Sequence, residues 1–154
     1  MDIETIATAI VAALAPFTPF LVEIGKIGGE KLVEIINKNG GEAAWKLAQK
    51  LWGKIQSSMN DEADVQGTAL MVSAKPEDDT RQTMLAVALA IKLRTDPKLA
   101  EEFSDLLGGQ RGVQQVIASR KSVVKDVMQQ MNGVGEQTVK ADNSRVQGLR
   151  QVRK

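Results

Sequence analysis

Residues 5–22 read TIATAIVAALAPFTPFLV and contain no charged side chain. A helix needs about 20 apolar residues to cross a membrane, so this stretch comes close to that length. From Ile3 onwards, large apolar side chains recur at the three- and four-residue spacing of one helix face. That face consists of Ile3, Ile6, Ala7, Ile10, Val11 and Leu14, whereas Thr5, Thr8, Ala9, Ala12 and Ala13 form a small, weakly polar reverse face. The pattern predicts an amphipathic helix without charges.

Two interpretations of this helix remain open. Its periodicity favours a buried core helix. Its place near the N-terminus, ahead of several glycines, favours instead a helix that leaves the bundle and enters lipid at low polar cost.

Two prolines divide this stretch. Pro16 should end the first helix at or before Ala15, because proline cannot continue a helix without losing a backbone hydrogen bond. Thr18 followed by Pro19 is typical of an N-cap with proline at the first helical position. We therefore expect a helical hairpin rather than one straight span.

Caps, prolines and glycines predict further helices in the body of the chain. The expected helices span residues 20–37, 42–56, 61–74, 77–94 and 97–107. The glycines of GKIGG at 25–29 should interrupt the first of these, because each costs about 1 kcal/mol relative to alanine. The glycines after Asn39 form a stop, and Gly108 closes the last helix. The sequence thus predicts a mainly α fold, a bundle of about six helices.

The charge of the chain is unevenly distributed. Residues 1–109 carry 11 basic and 16 acidic side chains, whereas residues 110–154 carry 9 basic and 3 acidic ones together with eight glutamines. Residues 113–131 are expected to be helical, and the runs 134–140 and 145–153 predict two short strands around a turn. We therefore divide the chain into a helical bundle and a basic, Gln/Val-rich tail whose polar strands can stack on copies of themselves.

The chain contains neither cysteine nor histidine. This composition excludes disulfides, thiolate nucleophiles, Cys/His zinc sites and imidazole chemistry. The acidic clusters at 61–64 and 77–79 fall where helices should begin, so capping explains them better than a metal or acid–base site. Trp45 and Trp52, seven residues apart, are expected to pack in the core. We predict no enzymatic activity, no catalytic residue, no metal site and no cofactor.

A family resemblance rests on the order of five stretches. They are TIATAIVAALAPF at 5–17, GGEAAWKLAQKLWGKI at 40–55, KPEDD at 75–79, DPKLAEEFSDLL at 96–107 and the tail rich in Gly, Gln, Asn and Val. In this order they resemble small bacterial effector proteins with a Bell-like helical domain. That group is regarded as an analogue of the fungal HeLo cell-death domains, with an amyloid signalling motif at the C-terminus.

The resemblance implies a membrane-targeting effector of the immune or programmed cell-death type. Its N-terminal helix would insert into lipid after the tail has assembled with other copies. The residues expected to contact the membrane are Ile3, Ile6, Ile10, Val11, Leu14, Phe17 and Phe20. The residues expected to mediate assembly are Val134, Gln137, Val139, Val146, Gln147, Leu149, Gln151 and Val152.

The expected partners follow from the same resemblance. They are further copies of the chain, an anionic membrane and a receptor protein with a matching tail motif, and the expected location is the cytoplasm with relocation to the inner face of the membrane. Nucleic acid is a poor candidate, because the basic charges of the tail are widely spaced and it has no aromatic residue for stacking. The alternative is a non-enzymatic, self-assembling adaptor or structural module without membrane activity.

Overall fold

A computed structural model of the chain describes residues 2–22, 28–119 and 129. The helices are α1 (Ile3–Leu14), a 3₁₀ turn (Ala15–Phe17), α2 (Thr18–Leu21), α3 (Gly29–Lys38), α4 (Gly41–Met59), α5 (Ala63–Ala74), α6 (Asp79–Thr95), α7 (Pro97–Leu106) and α8 (Gly109–Ser119). The described residues contain no strand, and the prediction of a mainly α bundle is confirmed. The strands predicted at 134–140 and 145–153 lie outside the described residues.

Helix α1 is the central element of the bundle. It packs most extensively against α6 and also contacts α4, α7 and α8. Every residue from Ile6 to Ala15 is buried, so both the isoleucine face and the alanine face lie inside the protein. A helix that is apolar all round is stable in water only when it is surrounded in this way. Helix α6 also buries alanines, at Ala86 and Ala90, and such small side chains allow two helices to approach closely.

The predicted stop after Asn39 is confirmed. Asn39 caps α3, and its side-chain amide donates a hydrogen bond of 2.8 Å to the carbonyl oxygen of Ile35. Gly40 adopts a φ of +106°, a left-handed conformation that residues with a Cβ rarely adopt. A Cβ at this position would also lie 2.9 Å from the Cβ of Ala44. Glycine is therefore required where the chain turns from α3 into α4.

Acidic side chains begin several helices, as the capping interpretation predicts. The Asp78 carboxylate accepts a bond of 3.1 Å from the backbone N–H of Arg81 in α6, and Asp96 accepts one of 3.2 Å from Leu99 in α7. Glu62 precedes α5 but its side chain makes no capping bond there. Instead its carboxylate lies 3.1 Å from the Nζ of Lys92 and joins α5 to α6.

Helix α1 ends at Leu14, as the position of Pro16 predicts, but the hairpin predicted there is wrong. Leu14, Ala15, Phe17 and Thr18 all keep right-handed helical backbone angles, so the chain continues from α1 through the 3₁₀ turn into α2. Thr18 is also not an extended N-cap, because its φ of −57° and ψ of −37° are helical. Its hydroxyl donates a bond of 2.8 Å to the carbonyl oxygen of Ala15. That oxygen would pair with the backbone N–H of residue 19 in a regular helix, but Pro19 has no N–H. In this chain the same oxygen accepts the backbone N–H of Thr18, as in a 3₁₀ turn, and the Thr18 hydroxyl adds a second bond to it.

The helix predicted at 20–37 is divided. Helix α2 ends at Leu21 and α3 starts at Gly29, after Gly28 in an extended conformation. The proposed interruption by glycines is therefore confirmed at Gly28. The remaining glycine of that cluster, Gly25, lies outside the described residues.

Helix α8 begins earlier than expected. The prediction placed a helix at 113–131, whereas α8 already starts at Gly109, and residues beyond 119, apart from the helical Gln129, are not described. Val113 is fully buried, and α8 packs against α1 and α7. A Cβ at Gly112 would lie 1.8 Å from the carbonyl oxygen of Leu107, so only glycine allows this close crossing.

Candidate functional site: the N-terminal helical segment

The N-terminal helical segment, Ile3–Leu21, is 19 residues long and has a mean hydropathy of 1.5 in its most apolar window. Its length and composition are sufficient to cross a membrane. Core helices of soluble proteins meet the same criterion, and two thirds of this window, 67%, are buried inside the protein.

The side chains predicted to contact lipid lie in the protein core. Ile6, Ile10, Val11, Leu14 and Phe17 are between 0% and 5% exposed. The other two, Ile3 and Phe20, are half-buried at the two ends of the segment. In this state the core-helix interpretation is confirmed, and contact with lipid stays a prediction that requires the segment to leave the bundle.

Polar contacts hold the start of the segment. The Asp2 carboxylate accepts a hydrogen bond of 2.8 Å from the backbone N–H of Thr5 and so caps α1. Hydrogen bonding from Thr5 lowers the pKa of Asp2, with the nearby N-terminal charge adding to the effect and burial opposing it. The next acidic residue, Glu4, forms an ion pair with Arg94 in the last turn of α6. These contacts lie at the surface, in contrast to the apolar packing that follows.

Aromatic packing holds the other end of the segment. The rings of Phe17 and Trp45 lie 5.4 Å apart between centroids, at an angle of 56°. Offset and tilted aromatic pairs of this kind contribute about 0.5–1.5 kcal/mol beyond the area they bury. Trp45 and Trp52 are both half-buried against the core, which confirms the predicted core role of the two tryptophans.

A cleft of about 740 Å³ opens beside the end of the segment. Its lining residues come from three parts of the chain. They are Ala12, Ala15, Pro16, Pro19 and Phe20, then Lys31, Ile35 and Asn39, and finally Lys75, Pro76, Glu77, Asp78 and Gln82. Sequence reasoning missed this cleft, because no local pattern indicates that residues 12–20 meet residues 75–82.

Several large apolar side chains on α5 and α6 are exposed. Leu70 and Met71 of α5 are 51% and 38% exposed, and Met84 and Ile91 of α6 are 42% and 56% exposed. Met84, half-buried Val87 and Ile91 follow one another at the i, i+3, i+7 spacing of one helix face. We call Leu70, Met71, Met84 and Ile91 the outer apolar patch. Sequence reasoning missed this surface, because apolar side chains at this spacing predict a buried helix face.

The acidic residues are used for caps and for contacts between helices. The Nζ of Lys54 in α4 lies 3.0 Å from Glu102 in α7, and hydrogen bonding with Glu62 raises the pKa of Lys92. Among the described residues, no group of three or more acidic side chains is placed to hold a metal ion. The predicted assembly residues between Val134 and Val152 lie outside the described residues.

Comparison with known proteins gives no match for this chain, whether with family models, with curated proteins or with solved structures.

Proposed function

We propose that the chain is a membrane-active effector of the immune or programmed cell-death type, as its resemblance to Bell-like proteins implies. In this proposal the N-terminal helical segment leaves the bundle and inserts into lipid after residues 110–154 have assembled. The observation that supports it is the absence of charged side chains from residues 5–21 of a helical segment that is 19 residues long. Such a segment enters lipid without transferring an ionised side chain, because Asp2 and Glu4 lie at its very start and can remain at the membrane surface.

The burial of α1 makes assembly necessary for this function. Removing α1 from the bundle exposes apolar surface on α4, α6, α7 and α8, and each square ångström so exposed costs about 25 cal/mol. A single copy therefore keeps α1 inside. Assembly of tails raises the local concentration of segments, so that many weak insertions act together and offset the cost.

A reversible cross-link tests whether α1 must move. The chain has no cysteine, so Glu4→Cys and Arg94→Cys introduce two thiols that alone can react with a short bismaleimide carrying an internal disulfide. The measurement is dye release from anionic vesicles by the full chain, with and without seeds of a synthetic peptide of residues 131–152. We expect release that depends on the seeds, loss of release in the cross-linked protein, and recovery when a reductant opens the link.

The matched control places the same cross-link within α3. Lys38 Nζ and Glu34 lie 3.0 Å apart in an exposed i, i+4 pair, so Glu34→Cys with Lys38→Cys restrains a helix without tying it to α1. This control should release dye like the unlinked protein. Full release from the Glu4–Arg94 cross-linked protein would show that α1 does not need to leave the bundle, and no release under any condition would rule out the membrane function.

The second candidate function is a self-assembling adaptor without membrane activity. The outer apolar patch favours it, because large exposed apolar side chains can belong to surfaces used for association. Its test is the mass of the full chain in solution, with Met84→Ser and Ile91→Ser in one variant. A defined oligomer that dissociates in this variant, together with absence of dye release, would select the adaptor; a monomer in both proteins would reject it.

A further inference from the structure

The cleft beside the N-terminal helical segment has the size and character of a ligand site. Its volume of about 740 Å³ lies within the range of roughly 300–1,000 Å³ that is usual for small-molecule sites. Alanine, proline, phenylalanine and isoleucine side chains supply its apolar walls. The walls come from α1 and the following turns, from α3 and from the turn before α6, so the bundle holds them from three directions.

Gln82 adds an unsatisfied polar group to these walls. Its side chain is only 3% exposed, and its Nε2 donates a hydrogen bond to the carbonyl oxygen of Pro76. Its Oε1 is buried and has no hydrogen-bond partner among the described residues. A buried acceptor left without a donor destabilises the protein, and a bound molecule that supplies a donor removes this penalty.

The charged residues around the cleft do not select for a charged ligand, so the main polar requirement on a ligand is a hydrogen-bond donor. Lys31 and Lys75 are exposed, and Glu77 is exposed as well. Asp78 already caps α6 and lies 3.8 Å from the Nε of Arg81. Both signs of charge are thus present at the opening, and neither dominates the apolar interior.

We propose that this cleft binds a small, mainly apolar molecule that carries a hydroxyl or amide N–H donor, and that this donor pairs with Gln82 Oε1. Because the oxygen is covered in the unliganded protein, this pairing requires the Gln82 side chain to turn towards the cleft, which also weakens the bond from its Nε2 to Pro76. Residues 12–20 form one wall, so an occupied cleft stabilises the packed position of the N-terminal helical segment. Binding itself does not depend on the proposed membrane function.

The test compares 2-naphthol with 2-methoxynaphthalene, which share the same ring system; the methyl group of the second molecule replaces the hydroxyl hydrogen and so removes the donor. Each is titrated into the full chain, and binding is followed by the NMR signals of the Gln82 side-chain amide and of the methyl groups of Ala12, Ala15 and Ile35. A net hydrogen bond of about 0.5–1.5 kcal/mol corresponds to roughly a 2- to 12-fold tighter Kd for the naphthol. We expect this preference, with shifts confined to the cleft.

Three variants test whether the preference for 2-naphthol arises from Gln82 in the cleft. Gln82→Leu should abolish the preference and leave the affinity for methoxynaphthalene within about twofold, since the apolar walls are unchanged. Ile35→Trp, which fills the cleft, should weaken both probes at least tenfold. Ile91→Ser removes an exposed apolar side chain outside the cleft and should alter neither.

Each contrary result overturns the proposal. Equal affinity of the two probes for the unmodified chain, or an unmoved Gln82 amide signal at saturation, would show that Oε1 does not receive the ligand's donor. Shifts at Met84 and Ile91 in place of the cleft would assign binding to the outer apolar patch. If Gln82→Leu does not fold, the probe comparison in the unmodified chain and the Ile35→Trp variant decide the matter.

Discussion

Glu4 and Arg94 form an ion pair that joins the first turn of α1 to the last turn of α6, across 90 positions of the sequence. Both side chains remain partly exposed. Exposed pairs of this kind contribute about 0–1 kcal/mol, far less than the apolar packing around α1. The contact therefore fixes where α1 starts on the surface of the bundle and adds little to the stability of the fold.

Removing this ion pair should change the rate of dye release but hardly change the stability of the fold. We expect Arg94→Ala to lower the free energy of unfolding by less than about 1 kcal/mol in a urea titration. Under the proposed function it should also increase the rate of dye release, because the start of α1 is less firmly held. Lys38→Ala removes an exposed pair that does not involve α1 and serves as the control. An equal rise in dye release for both variants would contradict the special role of Arg94.

The Asp2 cap predicts a pH dependence. Hydrogen bonding from Thr5 lowers the pKa of Asp2 below the ordinary value of 3.8. A lowered pKa means that the carboxylate stabilises the folded protein above this value and that the contribution is lost as the pH falls through the folded-state pKa. Asp2→Asn keeps an N-capping side chain that does not titrate. Urea titrations from about pH 5 to about pH 2 should therefore show a steeper loss of stability for the unmodified chain than for Asp2→Asn; parallel curves would exclude this linkage.

The central position of α1 predicts a large effect at Ile10. Its side chain is fully buried, so Ile10→Ala should lower the free energy of unfolding by about 2–5 kcal/mol through lost burial and the cavity left behind. Ile91→Ala makes the same chemical change at a side chain that is 56% exposed. We expect that control to stay within about 0.5 kcal/mol of the unmodified chain. Similar losses at both positions in chemical denaturation would contradict the placement of α1 in the core.

Substitution by alanine should change the free energy of unfolding in opposite directions at two glycines. Gly53 lies in the middle of α4, and a Cβ there would meet no atom within 4 Å. Gly53→Ala should raise the free energy of unfolding by about 0.5–1 kcal/mol, because alanine loses less backbone entropy in a helix. Gly40→Ala should lower it, since Gly40 combines a φ of +106° with a contact of 2.9 Å to the Cβ of Ala44. Thermal unfolding of the two variants would decide, and a Tm shift of the same sign for both would contradict these backbone assignments.

Local sequence signals predicted the helices well because they depend on neighbouring residues. The spacing of Ile3, Ile6 and Ile10 contains the period of a helix, and Asp96 with Pro97 specifies a cap and a first residue. The Thr18–Pro19 pair shows where such signals become ambiguous. The same dipeptide suits a new N-cap or a continued helix in which the backbone N–H and the hydroxyl of threonine both donate to the carbonyl oxygen three residues earlier. Here the packing of Phe17 against Trp45 accompanies the continued helix, and that tertiary contact is not visible in the dipeptide.

Features that join distant parts of the chain could not be predicted. The Glu4–Arg94 pair links residues whose local patterns are unrelated, and one charge on α1 has many possible partners of opposite sign. The cleft likewise depends on the meeting of Phe20, Ile35 and Gln82 from three separate elements. Its unsatisfied amide oxygen results from this three-dimensional arrangement alone, because a glutamine in an exposed helix position would be solvated by water.

Because α1 packs against α6, it is synthesised several seconds before the helix that it contacts most extensively. The end of α6 at Thr95 is made about 80 residues after the end of α1 at Leu14. At about 5–20 residues per second, translation takes roughly 4–16 s to produce the complete partner helix. During that interval the nascent chain carries an uncharged apolar segment before its main binding surface exists. The burial of α1 is therefore completed only after α6 has been made.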